Sequence, residues 1–220
     1  MKSVLAIFAK TPLPGRVKTR LAPQLSAEEG AELYRCMLLD TLAKVGNLPV
    51  DTVIFYDGDE RLFQELAPDV QLFPQYDGGL GERLESAFTL LSSLGYGPRV
   101  VIGTDAPDLP LGFVEDAFLL LQGGSDVVFG PAEDGGYYLV ALSGASGGLF
   151  RDIPWSSAQV LAVSQQRANE GSLATALLPT WYDVDNYEDL LRPGLLDPAN
   201  GAPLTRGFLR DRGIGIAQAS

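Results

Sequence analysis

The sequence predicts a three-layer α/β/α fold built around a doubly wound, mostly parallel sheet. Short apolar runs alternate with amphipathic segments of helical period along most of the 220 residues. Residues 100–103 are continuously apolar, as expected of a parallel strand buried on both faces. No linker divides the chain, so we expect a single domain over residues 1–220, with 192–220 as a C-terminal extension rich in Gly and Pro.

The first half of the chain opens with an apolar strand and continues with a helix that has a clear start. Ser26 and Glu29 have the spacing of a capping box, and apolar residues recur at helical period through residue 42. Pro68 ends a short helix, because its ring cannot continue the backbone hydrogen bonding. The elements predicted here are strands at 4–8, 52–56 and 70–73, and helices at 26–42, 60–66 and 81–94.

The second half continues the alternation around one hairpin signal. An Asp-Gly pair between two apolar runs is typical of a tight turn joining antiparallel strands. Asn186 is a favoured residue for opening a short helix. The elements predicted here are strands at 100–103, 126–130, 137–142 and 176–181, and helices at 111–121, 157–169, 186–191 and 204–210.

Histidine is absent from the sequence, which narrows the possible chemistry. A Ser/His/Asp triad, a Cys/His pair and a His-ligated zinc site are all excluded. A metal must therefore be held by oxygen ligands, and we expect Mg²⁺ or Mn²⁺. The lone Cys36 cannot form an intrachain disulfide, and the first apolar run is too short for a membrane helix and leads to no cleavage site, so we expect a cytoplasmic protein.

The charge is unevenly distributed. The chain has 16 basic and 28 acidic residues, and its net charge of −12 argues against general affinity for nucleic acid or anionic membranes. We expect no nucleic-acid partner and no membrane insertion. Residues 1–27 nevertheless contain five bases and no acid. Positive charge is thus concentrated in the loop that follows the first strand.

That basic loop is the first candidate site. In an open α/β sheet, ligands bind beyond the carboxyl ends of the strands. Backbone N–H groups exposed at Gly15, surrounded by Lys10, Arg16, Lys18 and Arg20, could hold a di- or triphosphate. The alternative is an exposed loop whose charges are simply solvated.

Carboxylates after two later strands form the second candidate site. Asp105 directly follows a buried strand and could hold a divalent ion that bridges phosphate oxygens. Asp108 either joins this site or caps the next helix. Of Asp183 and Asp185, one should point into the crevice and complete the metal site, while the other faces solvent or caps a helix.

The turn around residues 133–136 has two interpretations as well. Its glycines could serve the hairpin alone, by adopting positive φ angles. Alternatively, Gly135 and Gly136 let backbone amides approach a substrate, while Glu133 or Asp134 presents a carboxylate to its polar end and could act as a general base.

Four ordered motifs resemble a known family. The chain from residue 3 to 191 resembles a bacterial group of glycosyltransferase-A-like proteins described as nucleotide-diphospho-sugar transferases, which implies their Rossmann-like sheet. The motifs are FAKTPLPGRVKTRLAP at 8–23, GTDAPDL at 103–109, GPAEDGGYY at 130–138 and DVD at 183–185.

More distantly, residues 15–23 are similar to the Gly-rich loop of sugar-nucleotide pyrophosphorylases, and residues 18–21 with 134–136 are similar to 2-phospholactate guanylyltransferases. The sequence departs from the pyrophosphorylases at Lys18, where they carry glycine, and its Asp-Ala-Pro-Asp stretches the Asp-x-Asp of many glycosyltransferases by one residue. The resemblance implies that Lys10, Arg16, Lys18 and Arg20 contact nucleotide phosphates, that Asp105 and Asp185 bind metal, and that Gly135 and Gly136 face the acceptor or sugar. With the neighbouring loop residues, we expect substrate binding by Ala9, Lys10, Gly15, Arg16, Lys18, Thr19, Arg20, Gly135 and Gly136. The residues expected to be catalytic are Lys18, Arg20 and Asp134.

Three functions follow as hypotheses. The first is metal-dependent transfer of a group from a nucleotide-diphosphate-activated donor to a small acceptor. The second is a nucleotidyltransferase that joins an NTP to a phosphorylated acceptor and releases pyrophosphate, which needs no general base because the acceptor is already ionised. The third is a nucleotide-binding module without turnover.

Overall fold

A computed structural model describes residues 1–215, and its centre is one seven-stranded sheet. The strands are β1 (Val4–Lys10), β2 (Asp51–Asp57), β3 (Gln71–Pro74), β4 (Arg99–Ile102), β5 (Val127–Pro131), β6 (Tyr137–Leu142) and β7 (Thr175–Leu177). They lie in the order β3-β2-β1-β4-β6-β5-β7. Neighbouring strands are parallel except for β6, which runs antiparallel to both β4 and β5. The predicted mostly parallel sheet is confirmed.

Helices cover both faces of the sheet. They are α1 (Ala27–Val45), α2 (Glu60–Leu66), α3 (Leu80–Ser93), α4 (Leu111–Gln122), α5 (Val160–Glu170), α6 (Pro193–Leu196) and α7 (Pro203–Asp211). Side chains of α1, α2 and α4 share one apolar core with Leu5 and Ile7 of β1, while α3 and α5 share the other with Val4 and Ala6. Successive side chains of a strand point to opposite faces of the sheet, so β1 contributes to both cores. The sheet and the helices on its two faces form the three layers.

Helix α1 starts as the sequence predicts. The Ser26 hydroxyl accepts a hydrogen bond from the Glu29 backbone N–H at 3.1 Å, and the Glu29 carboxylate accepts one from the Ser26 N–H at 2.9 Å. Both halves of the capping box are therefore formed.

Two late elements are shorter than predicted. The strand expected at 176–181 ends at Leu177, because Pro179 has no N–H to donate and interrupts the ladder, which returns only as an isolated bridge between Trp181 and Ala132. The helix expected at 186–191 is a 3-10 turn over Glu188–Leu191, although the Asn186 side chain does accept a hydrogen bond from the Asp189 N–H at 3.2 Å.

The C-terminal extension packs against α1. The predicted helix at 204–210 is present as α7, and the buried Asp40 carboxylate on α1 accepts hydrogen bonds from the N–H groups of Leu204 and Thr205 at 3.0 and 2.7 Å. Residues 216–220 of the expected extension lie outside the described residues. None of the helices within residues 1–215 has the length and apolar character needed to cross a bilayer.

Candidate functional site

A cavity of about 560 Å³ lies beyond the carboxyl ends of β1 and β4. This is the edge at which an open α/β sheet is expected to bind ligands. Predicted site residues from both candidate sites line it together, namely Lys10, Arg16, Lys18, Thr19, Arg20, Asp105 and Asp185. The structure thus brings the first two candidate sites into one cavity.

The basic loop has a defined backbone conformation. Gly15 and Lys18 both have positive φ angles, +73° and +48°, and the Arg16 N–H donates to the Leu13 carbonyl at 3.0 Å. Val17 is buried against Ala31 and Tyr34 of α1, so this end of the loop packs on the helix. The loop is therefore folded onto α1 rather than extended into solvent.

Lys18 is the centre of the charged cluster. Its side chain is 3% exposed, and its ammonium group pairs with Asp105, lies 3.7 Å from Asp185 Oδ1 and donates to the Val184 carbonyl at 2.7 Å. Arg20 is largely exposed and reaches the other oxygen of Asp185 at 3.1 Å. A buried ammonium group is stable only with such partners, so Lys18 joins the two carboxylate loops.

Asp183 adds a further carboxylate to this cluster. Burial, together with the negative charges of Asp105 and Asp185, raises the pKa of Asp183 to about 7. Asp134 contributes to the same shift, and Lys18 opposes it. The carboxylates of Asp105, Asp183 and Asp185 therefore lie close enough to Lys18 and to one another to interact. Within residues 1–215, however, no three potential metal-ligating side chains are close enough to form an assembled metal site.

Two hydroxyl groups that the sequence does not single out connect β1 to β4. The Tyr34 oxygen on α1 accepts a hydrogen bond from the Lys10 N–H at 2.8 Å and bonds to the Thr104 hydroxyl at 2.9 Å. Burial raises the pKa of Tyr34, so the phenol stays protonated. Its place on an apolar helix face predicts a core residue, and it is one, but its oxygen also fixes the two strand ends.

Asp108 does not cap helix α4, so that alternative is wrong. The residue is 1% exposed, and its carboxylate accepts a hydrogen bond from the Tyr182 hydroxyl. Helix α4 begins after Pro110 without a side-chain cap. Asp108 does not line the cavity that Asp105 faces.

The turn between β5 and β6 is the predicted hairpin turn. The Asp134 carboxylate accepts a hydrogen bond from the Gly136 N–H at 2.8 Å. Gly135 has a φ of +89°, and a Cβ there would lie 2.7 Å from the Ala158 Cα, so both its conformation and its packing require glycine. The Glu133 carboxylate forms an ion pair with Arg192 at 2.6 Å. One of the two candidate bases is therefore already paired.

The remaining predicted residues differ in their surroundings. Lys10 and Arg16 are exposed and form no ion pair within residues 1–215, so their charges remain available at the cavity. Ala9 is 1% exposed, and its carbonyl accepts a hydrogen bond from the Gln75 amide at 3.4 Å.

Gln75 and Arg83, which the sequence does not mark, line the cavity, and the Arg83 guanidinium donates a hydrogen bond to the Gln75 side-chain oxygen at 2.9 Å.

The family model that matches residues 38–157, more than half of the chain, is described as uncharacterized protein conserved in bacteria (DUF2064). The chain belongs to this family. It is also 30% identical over 217 residues to a phosphoenolpyruvate guanylyltransferase of Roseiflexus sp. (strain RS-1), covering 93% of this chain and 92% of that protein. The expected relationship to nucleotide-dependent transferases is confirmed, and the protein is a transferase.

Two solved structures are similar to this chain in fold. A protein of Desulfovibrio desulfuricans G20, provisionally described as a nucleotide-diphospho-sugar transferase, is 33% identical with a TM-score of 0.87, over 97% of this chain and 96% of that one. A cytidylyltransferase of Leptospira borgpetersenii has a TM-score of 0.54 at 13% identity, over 100% and 98% of the two chains, and shows the fold alone. The fold is thus that of nucleotidyl and nucleotide-sugar transferases.

Proposed function

We propose that the protein is a nucleotidyltransferase that joins an NTP to a small phosphorylated acceptor and releases pyrophosphate. The observation that carries the proposal is the buried ammonium of Lys18, held between Asp105 and Asp185 at the nucleotide-binding edge of the sheet. The guanylyltransferase name of the 30% identical relative supports this reaction over the other candidates.

The charges of the cavity suit a polyphosphate. Lys10 and Arg16, which lack acidic partners within residues 1–215, are available for phosphate oxygens, and Arg20 can share its guanidinium between Asp185 and a phosphate. Gly15 and Thr19 would place loop atoms beside the same phosphates. Because Lys18 is fixed by Asp105 and by the Val184 carbonyl before the ligand arrives, its charge can stabilise developing negative charge without reorganisation.

The chemical step needs positioning more than proton transfer. An oxygen of the acceptor phosphate attacks the α-phosphorus of the NTP, a new P–O bond forms, and the bond to the β-phosphate oxygen breaks. Pyrophosphate leaves with the electron pair. The acceptor oxygen is already ionised, so no base is required, and Lys18 and Arg20 serve to neutralise charge on the transferred and departing groups.

The carboxylates fit a hard divalent cation in their chemistry. Mg²⁺ is commonly held by one or two carboxylates together with substrate phosphates, so a complete protein cage is unnecessary. Asp105 and Asp185 are the proposed ligands, and the excess of carboxylates around Asp183 favours a cation there. When bound, Mg²⁺ or Mn²⁺ would supply charge neutralisation at the phosphates.

Glycosyl transfer is the second candidate. It is favoured by the 33% identical Desulfovibrio protein, whose provisional description is nucleotide-diphospho-sugar transferase. In that reaction a nucleoside diphosphate departs, and an inverting enzyme needs a base. Asp134 is the proposed base, since Glu133 is bound by Arg192, while Gly135 and Gly136 would border the acceptor.

A panel of NTPs and nucleotide-sugars, incubated with Mg²⁺ or Mn²⁺ and small phosphorylated acceptors that include phosphoenolpyruvate, separates the candidates. Release of pyrophosphate that depends on the acceptor supports nucleotidyl transfer. Release of a nucleoside diphosphate supports glycosyl transfer instead. Binding of a nucleotide without any turnover would replace both with a binding module. Asp105→Asn serves as the control, since it should abolish metal-dependent nucleotide binding with the fold intact.

A further inference from the structure

A buried hydrogen bond links the two loops that carry Asp105 and Asp185. Asp108, three residues after Asp105, accepts a hydrogen bond from the hydroxyl of Tyr182, which lies three residues before Asp185. Asp108 is 1% exposed and Tyr182 is 7% exposed. This contact lies outside the cavity, on the side where the C-terminal extension packs.

The burial of Asp108 is unusual for a carboxylate. Its second oxygen, Oδ1, has no hydrogen-bond partner in the described part of the chain. Lys44 lies nearby, but its ammonium group donates to the carbonyls of Pro107 and Leu109, at 2.6 and 2.9 Å, and not to the carboxylate. Holding a charge in this way costs stability, so packing alone does not explain why an aspartate is buried at this position.

Both partners of the hydrogen bond are held by further contacts. Lys44 fixes the backbone on either side of Asp108. The Arg192 guanidinium lies 4.2 Å from the centre of the Tyr182 ring and also binds Glu133, beside the β5–β6 turn. The N–H of Val184 donates to the carbonyl of Asp105 at 2.8 Å, which gives the two loops a second link.

We propose that Asp108 and Tyr182 are positioning residues that set the separation of Asp105 and Asp185. Neither touches the cavity, so they act through the two loops rather than on a ligand. The inference rests on the proposed function for the roles of Asp105 and Asp185. Its structural part, the coupling of the loops, is independent of any activity.

The test uses Tyr182→Phe in the full-length protein, with Tyr96→Phe as the matched control. Tyr96 makes another tyrosine–aspartate hydrogen bond, to Asp51 at 2.9 Å, at the amino end of β2 and hence at the opposite edge of the sheet. Hydrogen exchange measured by mass spectrometry reports on the loops without ligand. We expect the amides of residues 103–109 and 182–186 to exchange about tenfold faster in Tyr182→Phe, since a hydrogen bond to a charged group is lost, and to remain unchanged in Tyr96→Phe.

Kinetics then test the positioning role. In Tyr182→Phe, kcat should fall about tenfold and the Mg²⁺ concentration for half-maximal rate should rise, while KM for the NTP stays within about threefold. Asp108→Asn keeps an acceptor oxygen for the Tyr182 hydroxyl and should lose less activity than Tyr182→Phe. If Tyr182→Phe does not fold, the same measurements are made on Asp108→Asn.

The outcomes separate this inference from the proposed function. Equal exchange in the loops of the two tyrosine variants would overturn the coupling. Faster exchange with an unchanged kcat and metal dependence would overturn the positioning role. Faster exchange in a protein that releases neither pyrophosphate nor nucleoside diphosphate would support the coupling and refute the proposed function.

Discussion

Replacing Lys18 by methionine removes the buried ammonium and keeps most of the aliphatic length. Asp105 and Asp185 then lie near the half-buried Asp183 without their shared cation. We expect both a loss of stability and a loss of turnover, because Lys18 belongs to the scaffold of the site and to its proposed chemistry.

The size of the stability loss can be worked from the geometry. At the 3.7 Å between Lys18 Nζ and Asp185 Oδ1, an effective dielectric constant of about 20 gives about 4 kcal/mol of attraction. The carboxylates of Asp105 and Asp185 are 46% and 42% exposed, so solvent screens much of this. A net loss of about 1–2 kcal/mol in the free energy of unfolding remains, and Tm should fall by about 3–6 °C. Loss of one preorganised charge from the site should lower kcat about 10²–10³-fold.

Arg20→Met is the matched control, because Arg20 contacts the same Asp185 but its side chain is 73% exposed. Its stability loss should not exceed about 0.5 kcal/mol. Urea unfolding and steady-state pyrophosphate release measure the two effects. Equal losses of stability in Lys18→Met and Arg20→Met would refute the argument from burial. An unchanged kcat in Lys18→Met would refute its catalytic role.

Three further predictions concern the scaffold. Arg99→Lys should lower the free energy of unfolding by about 2–4 kcal/mol in urea melts, because the buried guanidinium donates to three backbone carbonyls that a single ammonium cannot reach together; a loss below about 0.5 kcal/mol would contradict this. Gly135→Ala should cost about 2 kcal/mol or more, since the positive φ and the contact with Ala158 both exclude a side chain, and an unchanged Tm would show that the turn can relax. Burial lowers the pKa of Lys44 from 10.5 to about 8, so the unfolded chain binds more protons between these values, and the free energy of unfolding should rise with pH there. In urea melts, the free energy of unfolding should rise less between pH 8 and pH 10 in Lys44→Met than in the unmodified protein. An identical rise in the two proteins would contradict the lowered pKa of Lys44.

Much of the fold follows from local patterns in the sequence. The capping box at Ser26 and Glu29, the apolar run of the first strand and the Asp-Gly hairpin signal each depend on neighbours within a few residues, and all three are confirmed. The late strand is shorter than the apolar pattern predicts because its pairing with β5 is interrupted around Pro179 and returns only as an isolated bridge at Trp181.

The candidate site could be predicted in part for a related reason. Strand-end positions placed Lys18, Asp105 and Asp185 at one edge, since parallel strands end together. The role of Asp108 could not be found in this way, because its partner Tyr182 is 74 residues distant in the sequence. Tyr34 likewise follows the apolar period of its helix, and no local pattern distinguishes its hydroxyl from that of any buried tyrosine.

The left-handed backbone of Lys18 bears on which side chains position 18 can carry. A φ of +48° costs an L-residue on the order of 1 kcal/mol, whereas glycine adopts it freely. The pyrophosphorylases that the loop resembles have glycine at this position, where the backbone conformation costs nothing. Lys18→Gly would therefore relax the backbone and at the same time remove the cation that joins Asp105 to Asp185.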